Sequence, residues 1–324
     1  MGLGPFIGRR ALGACLLVLG AIVLNFLLIH LAPGDPALML AGEAGGTSEE
    51  TLRQIRADFG LDRPLAVQLL VYLGRLVRAD LGFSYFYNQS VLGLILDRVP
   101  QTLLLAVTAL VVAWAAGIGF GVLVARRPDS LAGNALAVIS LLGYAMPVFW
   151  TAIMLLLLFA VKYPWFPSHG MATVGLTGGS AARALDVAHH LVLPVVSLSI
   201  IFVALYSRLT RASMLDALAS DFIRTARSKG LAESRVLLKH ALKNALLPVI
   251  TVAGIQLGQV LAGTILVETV FSWPGMGRLA FESILRRDYP LLLGILLFSS
   301  VVVVVFNLVT DVVYGVLDPR IRYR

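Results

Sequence analysis

The sequence holds one cysteine, Cys15, among 324 residues. A single thiol excludes an intramolecular disulfide and every metal site assembled from several cysteines. Its apolar surroundings suit a small buried hydrophobe. Charge is equally scarce, at 14% Asp, Glu, Lys and Arg against 58% hydrophobic residues, well beyond the roughly 45–50% apolar share of an average soluble domain. No G-x-x-x-x-G-K-[ST] phosphate loop is present, so the chain is not expected to hydrolyse ATP. No Ser/His/Asp set, carboxylate pair or His-x-x-x-His stands inside an apolar run, which disfavours a membrane enzyme. His189 and His190 point about 100° apart on a helix and have no third ligand close in sequence, so solvation at a membrane interface is expected of them. Neither a lipoprotein signal nor a secretory one fits the start of the chain: the apolar run follows Cys15 instead of preceding it, and residues 11–34 outrun a signal core.

What the chain has in quantity is long uncharged stretches. Six are long enough to cross a bilayer: residues 11–34, 99–125, 130–161, 187–207, 244–267 and 289–310. Residues 163–182 are also uncharged, but two prolines and four glycines make them a loop. The expected fold is therefore an all-α integral membrane protein with six spans and both termini on one side. That side carries 15 Lys and Arg residues against 5 acids, which assigns it to the cytoplasm. Lipid orientation accounts for the net charge of +8, and no nucleic-acid partner is needed.

The chain divides into a first span (1–34), an external helical segment (35–98) and a five-span core (99–324). Thr47 and Glu50 have capping-box spacing at the head of a short helix reaching Phe59. Pro64 opens another, whose Val67, Leu70, Val71, Leu73 and Val77 lie on the membrane surface or against the outer ends of the spans. Pro147 is expected to kink the third span near Tyr144, which makes Tyr144 a candidate lining residue of a pathway. In the fifth span, Gly254, Gly258 and Ala262 form a small-residue stripe for close helix packing. Gln256 and Gln259 point elsewhere and are candidates for an aqueous path, with an interhelical hydrogen bond as the alternative. Glu268 and Asp311, near opposite ends of their spans, are expected to reach the interface or an arginine.

Residues 208–243 form the one sizeable cytoplasmic loop. Leu215, Leu218 and Phe222 follow helical spacing, Lys229-Gly230 reads as a helix end, and a second helix begins near residues 232–234. Helix, glycine turn and helix make a projection suited to docking a protein. Asp221-Phe222-Ile223-Arg224-Thr225-Ala226-Arg227-Ser228-Lys229-Gly230, followed by residues 240–248 (HALKNALLP), resembles the cytoplasmic loop of ABC importer permeases of the dipeptide/oligopeptide/nickel family. HLAPGDP (30–36), FGLDRP (59–64), ADLGFS (79–84), ETVFSWPGMG (268–277), RDYP (287–290) and DPRIR (318–322) look like further signatures of that family, in order. Arg224-Thr225-Ala226 stands where permeases in general have Glu-Ala-Ala, and Gly230 lies unusually far from Pro248. Both departures look typical of the peptide branch.

The resemblance implies a type I ABC importer permease subunit of the bacterial inner membrane. It would pair with a second, homologous permease, two ATPase subunits that hold ATP and Mg, and an external substrate-binding protein. Asp221, Phe222, Ile223, Arg224, Thr225, Ala226, Lys229 and Gly230 would then form the coupling helix and turn. Peptides are the expected cargo, with glutathione, nickel chelates, haem and oligosaccharides as alternatives within the class. An ion-gradient-driven transporter is a further rival, which predicts internal repeats or charged, interrupted mid-membrane helices. Neither is evident.

Overall fold

The computed structural model describes residues 3–31, 35, 37–38, 48–126 and 130–317. Most of the 30–36 turn, Thr47 of the capping pair and the 318–322 signature lie outside these residues. So do the side chains of Gly254, Gly258, Gln259, Ala262 and Asp311.

The described chain is almost wholly helical. In order it forms α1 (Leu3–Leu31), α2 (Glu49–Phe59), α3 (Leu65–Val77), a hairpin of β1 (Phe83–Ser84) and β2 (Gln89–Ser90), α4 (Val91–Ala125), α5 (Leu131–Ala145), α6 (Val148–Leu156), α7 (Ser180–Leu218), α8 (Asp221–Ser228), α9 (Leu242–Val270), α10 (Met276–Leu285) and α11 (Tyr289–Leu317). Among the described residues, five helical segments are long and apolar enough to cross a membrane. A sixth crossing follows if the pair Val138–Ala145 and Val148–Lys162, bent by 103°, counts as one.

Several boundaries differ from expectation for identifiable reasons. α4 begins eight residues before the uncharged stretch does, because Ser90 caps it by accepting from the Gly93 N–H at 3.3 Å. Pro100 is carried inside the helix. α7 likewise runs past its uncharged core to Leu218, since Arg208 and Arg211 are good helix formers at any depth where their charge is satisfied. It stops there, and Ser220 starts α8, so Leu215, Leu218 and Phe222 do not share one helix. At Pro147 the structure breaks instead of kinking: Met146 is extended (φ −79°, ψ 133°), the conformation that a following proline favours, and a new helix starts at Val148. Residues 163–179 form the expected loop.

The chain groups into two compact units, residues 1–100 with 275–324, and residues 101–274. In the first, α1 packs on α11, where Asn25 donates to the Leu293 carbonyl at 3.2 Å. Val91, Leu94 and Ile95 at the head of α4 pack on Leu279, Leu291 and Ile295. Asp288 caps α11 by accepting from the Leu291 N–H at 3.2 Å and also accepts from the Ser84 hydroxyl. Burial raises its carboxyl above the usual range. α3 leaves Leu70 and Val77 exposed and buries Gln68, which joins His30 Nε2 at 2.6 Å and donates to the carbonyls of Leu61 and Arg63.

In the second unit α7 is the central member, touching α5, α6 and α9. Glycines let α4 approach it closely: a Cβ at Gly121 would lie 2.5 Å from Thr210 Cβ, and one at Gly117 would lie 2.6 Å from Tyr206 Cβ. Between α8 and α9 the chain makes one short turn, Glu233–Arg235, and then a π turn, Val236–Ala241. Pro248 sits inside α9 instead of at its foot.

Candidate coupling site

α8 is eight residues long, too short to be stable alone in water, so tertiary contacts must hold it. Two side chains do so. Ile223 and Ala226, three positions apart on one face, are buried in a cluster with Val122, Ala125, Met214, Val236, Leu237, Ala241 and Ala245. That cluster draws on α4, α7, the π turn and α9, so α8 is rooted in four elements at once. The opposite face is open: Asp221, Phe222, Arg224 and Thr225 are exposed, with Phe222 at 45%.

The end of α8 is fixed by the backbone. Gly230 has φ +73°, its N–H reaches the Arg227 carbonyl at 3.0 Å, and the Leu231 N–H reaches the Ala226 carbonyl at 3.4 Å. These two bonds are the Schellman stop, which places a left-handed residue just beyond the helix. Leu231 packs against the same cluster. Across the turn Arg227 grips Glu233 with two bonds, Nη2 to Oε1 at 2.7 Å and Nε to Oε2 at 3.2 Å. Both side chains are about half exposed, so the pair adds little stability, but its two-pronged geometry fixes the angle between α8 and the turn that leads to α9. Arg227 is thereby committed within the chain, whereas Lys229 lies exposed beside Gly230.

The residues expected to line a pathway are less united. Tyr144 is half exposed, and the Arg208 guanidinium carbon stands 4.8 Å from its ring centroid. Gln256 is partly buried, and its Oε1 has no hydrogen-bond partner among the described residues. The two lie on α5 and α9, both of which pack on α7.

Two expectations about polar residues are corrected. Of the two alternatives for Glu268, the interface is the one overturned: the residue is fully buried and accepts from the Thr102 hydroxyl at 2.8 Å. Nearby, the Trp273 indole N–H donates to the Gln101 carbonyl at 2.9 Å. The histidines also part ways. His189 is exposed and bonds the Trp165 carbonyl at 2.9 Å, while His190 is buried beside Asp186, its Nδ1 2.8 Å from the Asp186 carbonyl. The helix starts at Ser180, so His190 lies on an inward face well within it. Among the described residues no group of three or more His, Cys, Asp and Glu side chains is placed to hold a metal.

Residues 117–323 match the family described as "Binding-protein-dependent transport system inner membrane component", and residues 3–106 match the corresponding N-terminal family. The chain is 40% identical over 323 residues to the "Dipeptide transport system permease protein DppB" of Escherichia coli K12, covering 94% of this chain and 95% of that protein. It is 39% identical over 322 residues to the "Oligopeptide transport system permease protein AppB" of Bacillus subtilis, covering 99% and 100%. In fold it is similar to a chain of the MetNI methionine ABC transporter in an inward-facing conformation, with a TM-score of 0.54 at 16% identity over 69% of this chain and 96% of that one. An amino acid ABC transporter chain gives a TM-score of 0.51, also at 16% identity, over 69% and 94%.

Proposed function

Because the chain belongs to the family of binding-protein-dependent transport system inner membrane components, we propose that it is the membrane-spanning permease subunit of an ATP-driven peptide importer and that α8 is the part through which ATPase subunits move it. It is a multi-pass inner-membrane protein. Relatives named for dipeptide, oligopeptide and di/tripeptide transport support peptides as the cargo over the other solutes of the class. The finer organisation follows from the charge pattern: six crossings with the bent pair as one of them, both termini and α8 in the cytoplasm, and residues 35–98 outside. ATP and Mg belong to two separate ATPase subunits, and a second homologous permease and an external binding protein complete the assembly.

The observation that carries the coupling role is the division of α8. A short helix with Ile223 and Ala226 anchored in four elements, and with Asp221, Phe222, Arg224 and Thr225 exposed, transmits displacement to its anchors instead of absorbing it. A push on the exposed face reaches α7 from one side and, through the π turn, α9 from the other. Those helices would tilt between outward and inward openings and pass the peptide by alternating access. Tyr144, Gln256 and Gln259 are the side chains assigned to that path, and Gly254, Gly258 and Ala262 to helix packing.

Gly230→Val tests this in the assembled transporter. A Cβ at Gly230 meets nothing within 4 Å, so the substitution acts only through the φ of +73°, a region that costs a branched residue roughly 1–2 kcal/mol or more. The expected result is normal membrane insertion with peptide uptake uncoupled from ATP hydrolysis. Unchanged uptake per ATP hydrolysed would refute the lever.

A further inference from the structure

Where α7 runs on towards α8, a cavity of about 240 Å³ opens in the second unit. Its walls come from the last turn of α4 (Val124), the inner face of α5 (Gly133, Ser140) and the later turns of α7 (Ser207, Arg208, Arg211), and none of the described lining residues is acidic. Arg208 is exposed, and among the described residues its guanidinium engages only the Tyr144 ring. Stacking of that kind uses the face of the guanidinium and leaves the in-plane N–H groups directed around its edge. Arg208 and Arg211, together with Ser140 and Ser207, line this concavity, and the two arginines raise the positive potential there. That donor set suits an oxyanion with several acceptor oxygens.

The flanking surface identifies which oxyanion. The same two helices, α4 and α5, present Leu123, Leu131, Val138, Ile139 and Leu142, each more than half exposed. Exposed aliphatic side chains offer nothing to a peptide backbone in transit and suit hydrocarbon chains. We propose that this cavity holds the phosphodiester headgroup of an anionic membrane phospholipid, with its acyl chains lying along Leu131, Val138 and Leu142. The lipid would brace α4, α5 and α7 together just above the point where α7 hands over to α8. This site is independent of whether α8 couples to an ATPase.

The test uses the intact transporter with its partner subunits, purified in detergent, with retained phosphatidylglycerol quantified by mass spectrometry. Wild type is compared with Arg208→Gln, with Arg208→Gln/Arg211→Gln, and with Arg126→Gln, a basic residue near the same end that does not line the cavity. The double variant is expected to retain about tenfold less phosphatidylglycerol, the scale of one or two lost charge-assisted hydrogen bonds. Arg208→Gln is expected to fall between, and Arg126→Gln to match wild type. Arg208 is exposed, so its single variant reports binding without a folding defect, and elution volume on size exclusion verifies this. Equal retention in all four proteins would overturn the proposal, as would an equal loss in Arg126→Gln. Displacement of the lipid by inorganic phosphate alone, or by a free peptide but not its C-terminal amide, would assign the cavity to a soluble anion or to cargo and overturn it too.

Discussion

Ile223→Ala separates anchoring of α8 from its exposed chemistry, because the side chain touches no part of the surface a partner would meet. Ile223 is fully buried, and truncating such a residue costs about 2–5 kcal/mol in lost transfer energy and cavity formation. α8 has only one other anchoring side chain, Ala226, and its eight residues are too few for intrinsic helicity to compensate. Most of that cost therefore falls on the local equilibrium between docked and undocked α8. At about 3 kcal/mol the undocked population rises roughly a hundredfold. Two measurements read this out in the assembled transporter. Amide exchange across 221–231 is expected to accelerate by about that factor, while exchange in the membrane-embedded part of α9 stays as in wild type. Peptide uptake per ATP hydrolysed is expected to fall, since a lever loose at its root moves without carrying its anchors. If exchange accelerates as calculated and coupling stays unchanged, rigidity of α8 is not what transmits the movement. If exchange itself is unchanged, the packing described for Ile223 is wrong.

Gly121→Val sets a methyl-bearing carbon 2.5 Å from Thr210 Cβ and 2.8 Å from the Ser207 carbonyl oxygen. Backbone cannot yield cheaply, so a loss of about 1–3 kcal/mol and a lower level of folded protein in membranes are expected, with Gly119→Val, which meets nothing within 4 Å, as the tolerated control. Outside the spans, Asp35 accepts from Arg56 Nη2 at 2.5 Å and from the Ala37 N–H at 2.9 Å, and the Arg56 hydrogen bond first, then the backbone one, hold its carboxyl below the usual range. A depressed carboxyl stabilises the folded form above its unfolded pKa and loses that contribution as pH falls through the folded value. Amide protection in α2 is thus expected to decline as the solution is acidified below the ordinary carboxylate range, and Asp35→Asn to flatten that dependence.

The apolar stretches announced the long helices, because a bilayer demands length and hydrocarbon and leaves little else to decide. How those helices stop was only partly visible. Five of the short signatures turn out to be the same device. Gly60, Ala79, Gly230, Ser272 and Arg287 all have φ between +51° and +73°, and each is followed by a residue whose N–H bonds back across the last helical turn: Leu61 to Arg56, Asp80 to Arg75, Leu231 to Ala226, Trp273 to Glu268, Asp288 to Ser283. Glycine marks two of the five, and those two were legible as turns. Ala79, Ser272 and Arg287 carry no such mark, since their left-handed conformation goes with the backbone bonds that close each turn and not with local preference. Ser220 was missed for a related reason: spacing continues through Leu215, Leu218 and Phe222, and only tertiary docking of Ile223 shows that the helix has restarted. Prolines sort the same way. Pro100, Pro194 and Pro248 stay inside helices, and Pro147 breaks one, a difference that composition alone does not encode. Glu268 stood at the edge of its apolar run, and Thr102, which donates to it inside, lies 166 residues away.

The π turn at Val236–Ala241 has a consequence of phase. Such a turn holds one residue more than the α turn it replaces, and each residue advances a helix by about 100°. The surplus residue therefore sets the azimuth at which α9 enters the membrane, as a tooth sets the meshing of a gear. Removing one residue from that stretch would hardly shorten the chain, yet it would swing every side chain of α9 by more than a quarter of a revolution. Length in those six positions is thus under tighter geometric control than identity.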